Sequence, residues 1–91
     1  MKYFDWSEEK NDQLKAERGI SFEDIIVALT DDRVLDVLPH INAKKCPNQK
    51  IYVVEINQYV YLVPFVEDDE KVFLKTIFPS RKATKHYLID Q

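Results

Sequence analysis
A chain of 91 residues that is 45% hydrophobic and 32% charged is long enough for one packed domain and too apolar to stay disordered. Its formal charge of −3 excludes a broad, nonspecific attraction to polyanions, and its single glycine excludes the glycine-rich loops that cradle phosphates in P-loop and dinucleotide sites. The lone Cys46 excludes an internal disulfide, and no Cys/His pair stands at zinc-ligand spacing, so neither metal nor cofactor is expected.

The mean charge hides a division. Residues 71–91 carry five bases, Lys71, Lys75, Arg81, Lys82 and Lys85, against the one acid Asp90, a charge of +4. Residues 1–70 carry eight bases and fifteen acids, a charge of −7. An anion-binding site is therefore expected near the C-terminus. The N-terminus runs straight into charged sequence, and no apolar stretch approaches the length of about 18 residues that a membrane span needs. A soluble, cytoplasmic protein with no membrane partner is expected.

In chain order, Phe4 and Trp6 read as a short extended segment pinned to the core. Ser7, followed by Glu8 and Glu9, is an N-cap signal for a first helix that runs to Arg18 and stops at Gly19. Ser21 with Asp24 opens a second helix, whose Phe22, Ile25, Ile26 and Leu29 recur at helical spacing, ending near Asp31-Asp32. The two helices, joined almost without a loop, predict a compact corner.

The period then falls from about 3.6 to 2, and β-branched and aromatic residues take over. Arg33–Leu38, Lys50–Ile56, Tyr59–Val66 and Val72–Phe78 read as four strands. A polar connection from His40 to Gln49, holding Cys46 as an incidental residue, follows the first of them. The short turns at Asn57-Gln58 and Glu67–Glu70 require antiparallel neighbours. Pro64 predicts a bulge or local edge, because proline cannot donate to a ladder. After Pro79, Ser80 caps a C-terminal helix over residues 81–90. The expected fold class is α+β: two N-terminal helices, a four-stranded, mainly antiparallel sheet with the helices on one face, and a C-terminal helix.

On that last helix, 100° per residue places Arg81, Lys85, Lys82 and His86 within about 140° of one another, and Ala83, Tyr87, Thr84 and Leu88 on the other side. The second set is the docking face and the first a presented basic face. Ser80 and the helix start add N–H donors to the field, and Lys75 is expected to point toward the same end of the molecule. His86 carries the side-chain type best suited to proton exchange near neutral pH. The acids Glu67–Glu70 form a charged hairpin tip, not a metal site.

Three segments together resemble the BrnT toxins of bacterial type II toxin–antitoxin systems: Phe4-Asp5-Trp6-Ser7-Glu8-Glu9-Lys10-Asn11, Arg18-Gly19-Ile20-Ser21-Phe22-Glu23-Asp24, and Ser80-Arg81-Lys82-Ala83. The similarity spans nearly the whole chain in order. It implies a RelE-like fold, a ribonuclease that arrests translation, and a protein antitoxin that neutralises it and supplies the DNA binding. Arg81 and Lys82 match the family's Arg-Lys pair at the helix start, Lys10 its first-helix lysine, and Lys75 lies within one position of its strand arginine. Pro79 stands where the family commonly has serine, and Tyr87 where it commonly has an acid. The resulting expectation is catalysis by Arg81, Lys75, Lys82 and His86, with Lys10, Lys85 and Ser80 binding RNA. The competing expectation is a noncatalytic protein-binding module of the same fold, with Tyr52, Tyr59 and Tyr61 as interface anchors.

Overall fold
The computed structural model describes residues 3–39 and 49–89. Most of the polar connection, with His40 and Cys46, lies outside them. The elements are β1 (Tyr3–Trp6), α1 (Glu8–Arg18), α2 (Phe22–Thr30), β2 (Val34–Pro39), β3 (Gln49–Ile56), β4 (Tyr59–Glu67), β5 (Lys71–Leu74), β6 (Phe78–Pro79) and α3 (Arg81–Thr84), which continues as a π-helical turn over Lys85–Ile89.

The helical corner is built by local hydrogen bonds that its sequence announces. Ser7 Oγ accepts from Lys10 N at 3.3 Å, and α1 ends at Gly19, whose φ of 66° is the left-handed conformation that glycine adopts without a steric penalty. Ser21 and Asp24 form a reciprocal capping box, with Ser21 Oγ accepting from Asp24 N at 3.2 Å and Asp24 Oδ2 accepting from Ser21 N at 3.0 Å. Asn11, fully buried on α1, joins the two helices. Its Oδ1 accepts from Phe22 N at 2.8 Å and its Nδ2 donates to Glu23 Oε1 at 2.6 Å.

That last contact is the main reason the Glu23 carboxyl titrates below its ordinary value; its own backbone N–H acts the same way, burial opposes both, and the Lys15 charge adds a weaker lowering effect. A depressed folded-state pKa stabilises the fold above the unfolded-state value and loses that contribution as pH falls through the folded-state one. Stability is therefore expected to fall as the pH drops from the ordinary glutamate range into more acid solution, and Glu23→Gln to flatten part of this slope. Denaturant midpoints measured across that range check it.

The sheet runs β1-β5-β4-β3-β2, with β6 also pairing β4. It differs from the four expected strands in two ways. First, the Phe4–Trp6 segment is a strand, and it lies parallel to β5, Tyr3 opposite Lys71 and Trp6 opposite Leu74, so the sheet is mixed. Second, the expected strand Val72–Phe78 is two strands, β5 and β6, both antiparallel to β4. Pro64 explains the break. Its carbonyl accepts from Lys75 N at 2.9 Å, so the side of Pro64 that lacks an N–H faces the β5–β6 line, and regular pairing lapses there until Phe78. On the other side β4 pairs β3 without interruption from Tyr59 to Val66, through a turn in which Asn57 and Gln58 both have positive φ, 53° and 66°. β2 starts one residue late and carries an irregularity between Val34 and Asp36.

Strand alternation sorts the core onto two faces. Val54, Val63, Phe65, Val72 and Leu74 pack with Leu14, Phe22, Ile25 and Ala28 of the helical corner, and Trp6 stacks on Phe22 with ring centroids 5.8 Å apart. Tyr52, stacked on Phe65 at 4.0 Å, and Tyr61 belong to this side too, packed against the core. Val53 and Val60, equally buried, belong to the opposite face together with Leu62, and there α3 docks. Helices thus cover both faces instead of one. The C-terminal segment leaves β6 on the far side of the sheet from α1 and α2.

Candidate functional site
The last helix is anchored by four hydrogen bonds. Ser80 N donates to Val60 O at 3.0 Å, Ser80 Oγ accepts from Ala83 N at 3.0 Å, Thr84 Oγ1 accepts from Val60 N at 2.9 Å, and the same hydroxyl donates to Ser80 O at 2.7 Å. Thr84 thereby satisfies a buried strand amide that has no ladder partner at this point. Thr84→Val would orphan the Val60 N–H and is expected to cost about 1–3 kcal/mol. Faster hydrogen exchange at the Val60 amide is the measurement that checks it.

Beyond Thr84 the helix widens into the π-turn, and Tyr87 Oη donates to Asp36 Oδ2 on β2 at 2.9 Å. The Tyr87 phenol is pushed above its ordinary value, first by desolvation and then by the Asp36 carboxylate. His86 meets the Tyr87 ring edge-on, centroids 4.9 Å apart at 86°. The expected two-sided pattern is present: Ala83, Thr84, Tyr87 and Leu88 are half-buried, whereas Arg81, Lys82, Lys85 and His86 are exposed. Among the described residues, Arg81, Lys82 and Lys85 form no ion pair.

Between α3 and the sheet lies a hollow of about 300 Å³. Its walls are Leu38 of β2, Val53 of β3, Leu62 of β4 and Ala83, and Ser80, Lys82, His86 and Tyr87 complete it. Three of the candidate site residues, Ser80, Lys82 and His86, therefore converge on one concavity. Arg81 and Lys85 share the exposed side of the same segment. The remaining two lie elsewhere. Lys75 bonds through its N–H to Pro64, four residues along β4 from the Val60 that holds Ser80, a separation of roughly 13 Å in strand rise. Lys10 is on α1, on the opposite face of the sheet. Ser80 serves first as a cap, and α3 proper is only one turn long, so its dipole contributes less field than a longer helix would.

Residue patterns gave no sign of Asp36, Leu38 and Leu62 as neighbours of this helix. Their shared face is visible only through the register, in which Asp36 opposes Val53 and Val53 opposes Leu62. Among the described residues, no three His, Cys, Asp or Glu side chains converge as metal ligands would, and no helix is long and apolar enough to cross a membrane.

Comparison with models of protein families, with curated proteins and with solved structures finds no match to this chain.

Proposed function
We propose that this chain is a toxin of the BrnT type, with a RelE-like fold, that cleaves RNA in the cytoplasm without a metal ion and is neutralised by a cognate antitoxin. The observation that carries the reading is the anchored segment after Ser80, which holds Arg81, Lys82, Lys85 and His86 on one exposed side, three of them cations with no ion-pair partner among the described residues.

The chemistry requires a base to take the 2′-hydroxyl proton, a cationic group to meet charge growing on the phosphate, and an acid for the leaving oxygen. The 2′-oxygen bonds to phosphorus as the bond to the 5′-oxygen breaks, leaving a 2′,3′-cyclic phosphate and a 5′-hydroxyl. Arg81, with Lys82 beside it, meets the developing charge, its planar guanidinium suiting two phosphate oxygens at once. His86, at the mouth of the hollow, exchanges the proton. Lys85 and Ser80 hold the strand at the reacting phosphate, while Lys75 and Lys10 contact it further along.

The test is expression of the gene alone from an inducible promoter. Growth arrest relieved by coexpression of a short neighbouring reading frame is the expected result, and unimpaired growth at full expression contradicts the proposal. One observation favours the second reading, a noncatalytic module. β2 is an edge strand with Leu35 and Val37 exposed, a surface suited to pairing with a partner strand. That reading predicts partner binding with intact RNA.

A further inference from the structure
Resting on the reading of this chain as an RNA-binding protein, we infer that the hollow between α3 and the sheet seats one nucleobase of the bound strand. Its interior is apolar, reaching fully buried Val53 between Leu38 and Leu62, with Ala83 closing the helix side. Its rim carries Lys82 and His86. The acid nearest this wall by register, Asp36 opposite Val53, is occupied by the Tyr87 hydroxyl at 2.9 Å. An apolar pit with a basic rim selects a flat, weakly hydrated group tied covalently to an anion.

Size narrows the occupant. A volume of about 300 Å³ lies at the lower end of small-molecule sites, enough for one ring system and not for a large cofactor. Charge narrows it further. Arg81 and Lys85 extend the positive side beyond the rim, more cation than a single carboxylate requires, and suited to successive phosphates of one strand. The Tyr87 ring, held by Asp36 and by the edge contact from His86, is fixed in advance and offers an aromatic surface to a base. The hollow would then set which nucleotide lies beside the reacting phosphate, with Leu38, Leu62 and Ala83 as specificity-determining residues.

The test uses a fluorescently labelled 2′-O-methyl RNA pentamer, which lacks the attacking hydroxyl, and five versions each with one abasic position, titrated at low salt. Base removal at one position is expected to weaken binding about tenfold, and at the others by less than about twofold. Ala83→Leu, which fills the hollow, and Leu38→Glu, which places an anion in its wall, should each abolish this positional difference, with thermal melting confirming that both fold. Equal binding of all five abasic strands, or no binding of the intact pentamer, overturns the inference. Cleavage of unmodified RNA without positional dependence removes the base seat and leaves the ribonuclease standing. Positional dependence without cleavage does the reverse. Tighter binding of an acidic peptide or a free aromatic acid than of the pentamer assigns the hollow to that ligand instead.

Discussion
Replacing Arg81 by alanine is expected to lower the rate of phosphodiester cleavage about 10²–10³-fold, the usual consequence of removing one donor that meets developing oxyanion charge. On the proposed toxin function, this appears in cells as loss of the growth arrest expected of the parent chain. The side chain is exposed and, among the described residues, forms no ion pair, so the fold has little to lose. An exposed substitution of this kind is worth within about 0.5 kcal/mol, so the melting temperature should stay within about 4 °C of the parent. Arg81→Lys separates charge from geometry, since lysine keeps the cation and loses the planar fork. Partial recovery by lysine supports phosphate contact. Full toxicity of the alanine variant removes Arg81 from the mechanism.

The largest structural effect is expected at Phe22. This ring is fully buried at the first position of α2, stacks on Trp6 of β1, and sits where the helical corner meets the sheet. Truncation to alanine deletes buried apolar surface and leaves a cavity bounded by a rigid corner, at a cost of about 3–5 kcal/mol. A domain of this length holds on the order of 5–13 kcal/mol in total. Phe22→Ala should therefore lower the melting temperature by about 15 °C or more. The backbone N–H of the same residue is held by Asn11, which keeps the cap in place. The loss should thus appear in the core and in the β1–β5 pairing before the helices themselves, readable as accelerated exchange at the amides of residues 3–6. A melting temperature unchanged within about 4 °C would show that Trp6 and the corner do not depend on this ring.

How much of this was legible in the chain depends on the range of the interactions that set it. The corner was legible because Ser7, Gly19, Ser21 and Asp24 act within a few residues of themselves, and their hydrogen bonds follow from residue type. The exposed and docked sides of the last helix were legible for the same reason. Pro64 announced a disturbance in the ladder, but only the pairing of Lys75 with it shows that the strand after β4 divides there. That Phe4 and Trp6 form an extended segment pinned to the core was legible, but its parallel pairing with β5 was not. Tyr3 finds Lys71 across about three quarters of the chain, and four residues of Phe/Trp-containing sequence carry no sign of which edge they will join. The candidate site divides along the same line. Ser80, Lys82 and His86 converge because a helix places them, whereas the positions of Lys75 and Lys10 depend on strand register and on which face α3 covers. Tyr87 was read as a docking residue, which it is, but its hydroxyl contact with Asp36 spans 51 positions and no local pattern encodes it.

The division of charge that opens the sequence acquires a location in the fold. The cations at the C-terminal end, Arg81, Lys82 and Lys85, which form no ion pair among the described residues, are presented by one segment on the face away from the acidic helical corner. An acidic body with one basic face focuses a polyanion on that face, and predicts binding that strengthens steeply as salt is lowered.

The most direct test of the account is incubation of the purified protein with single-stranded RNA at low salt in excess EDTA, with the new ends analysed. Fragments ending in 2′,3′-cyclic phosphate are expected from the parent chain, formed at least about 100-fold more slowly by Arg81→Ala. Intact RNA after prolonged incubation with the folded parent protein, or equal rates from both proteins, would contradict it.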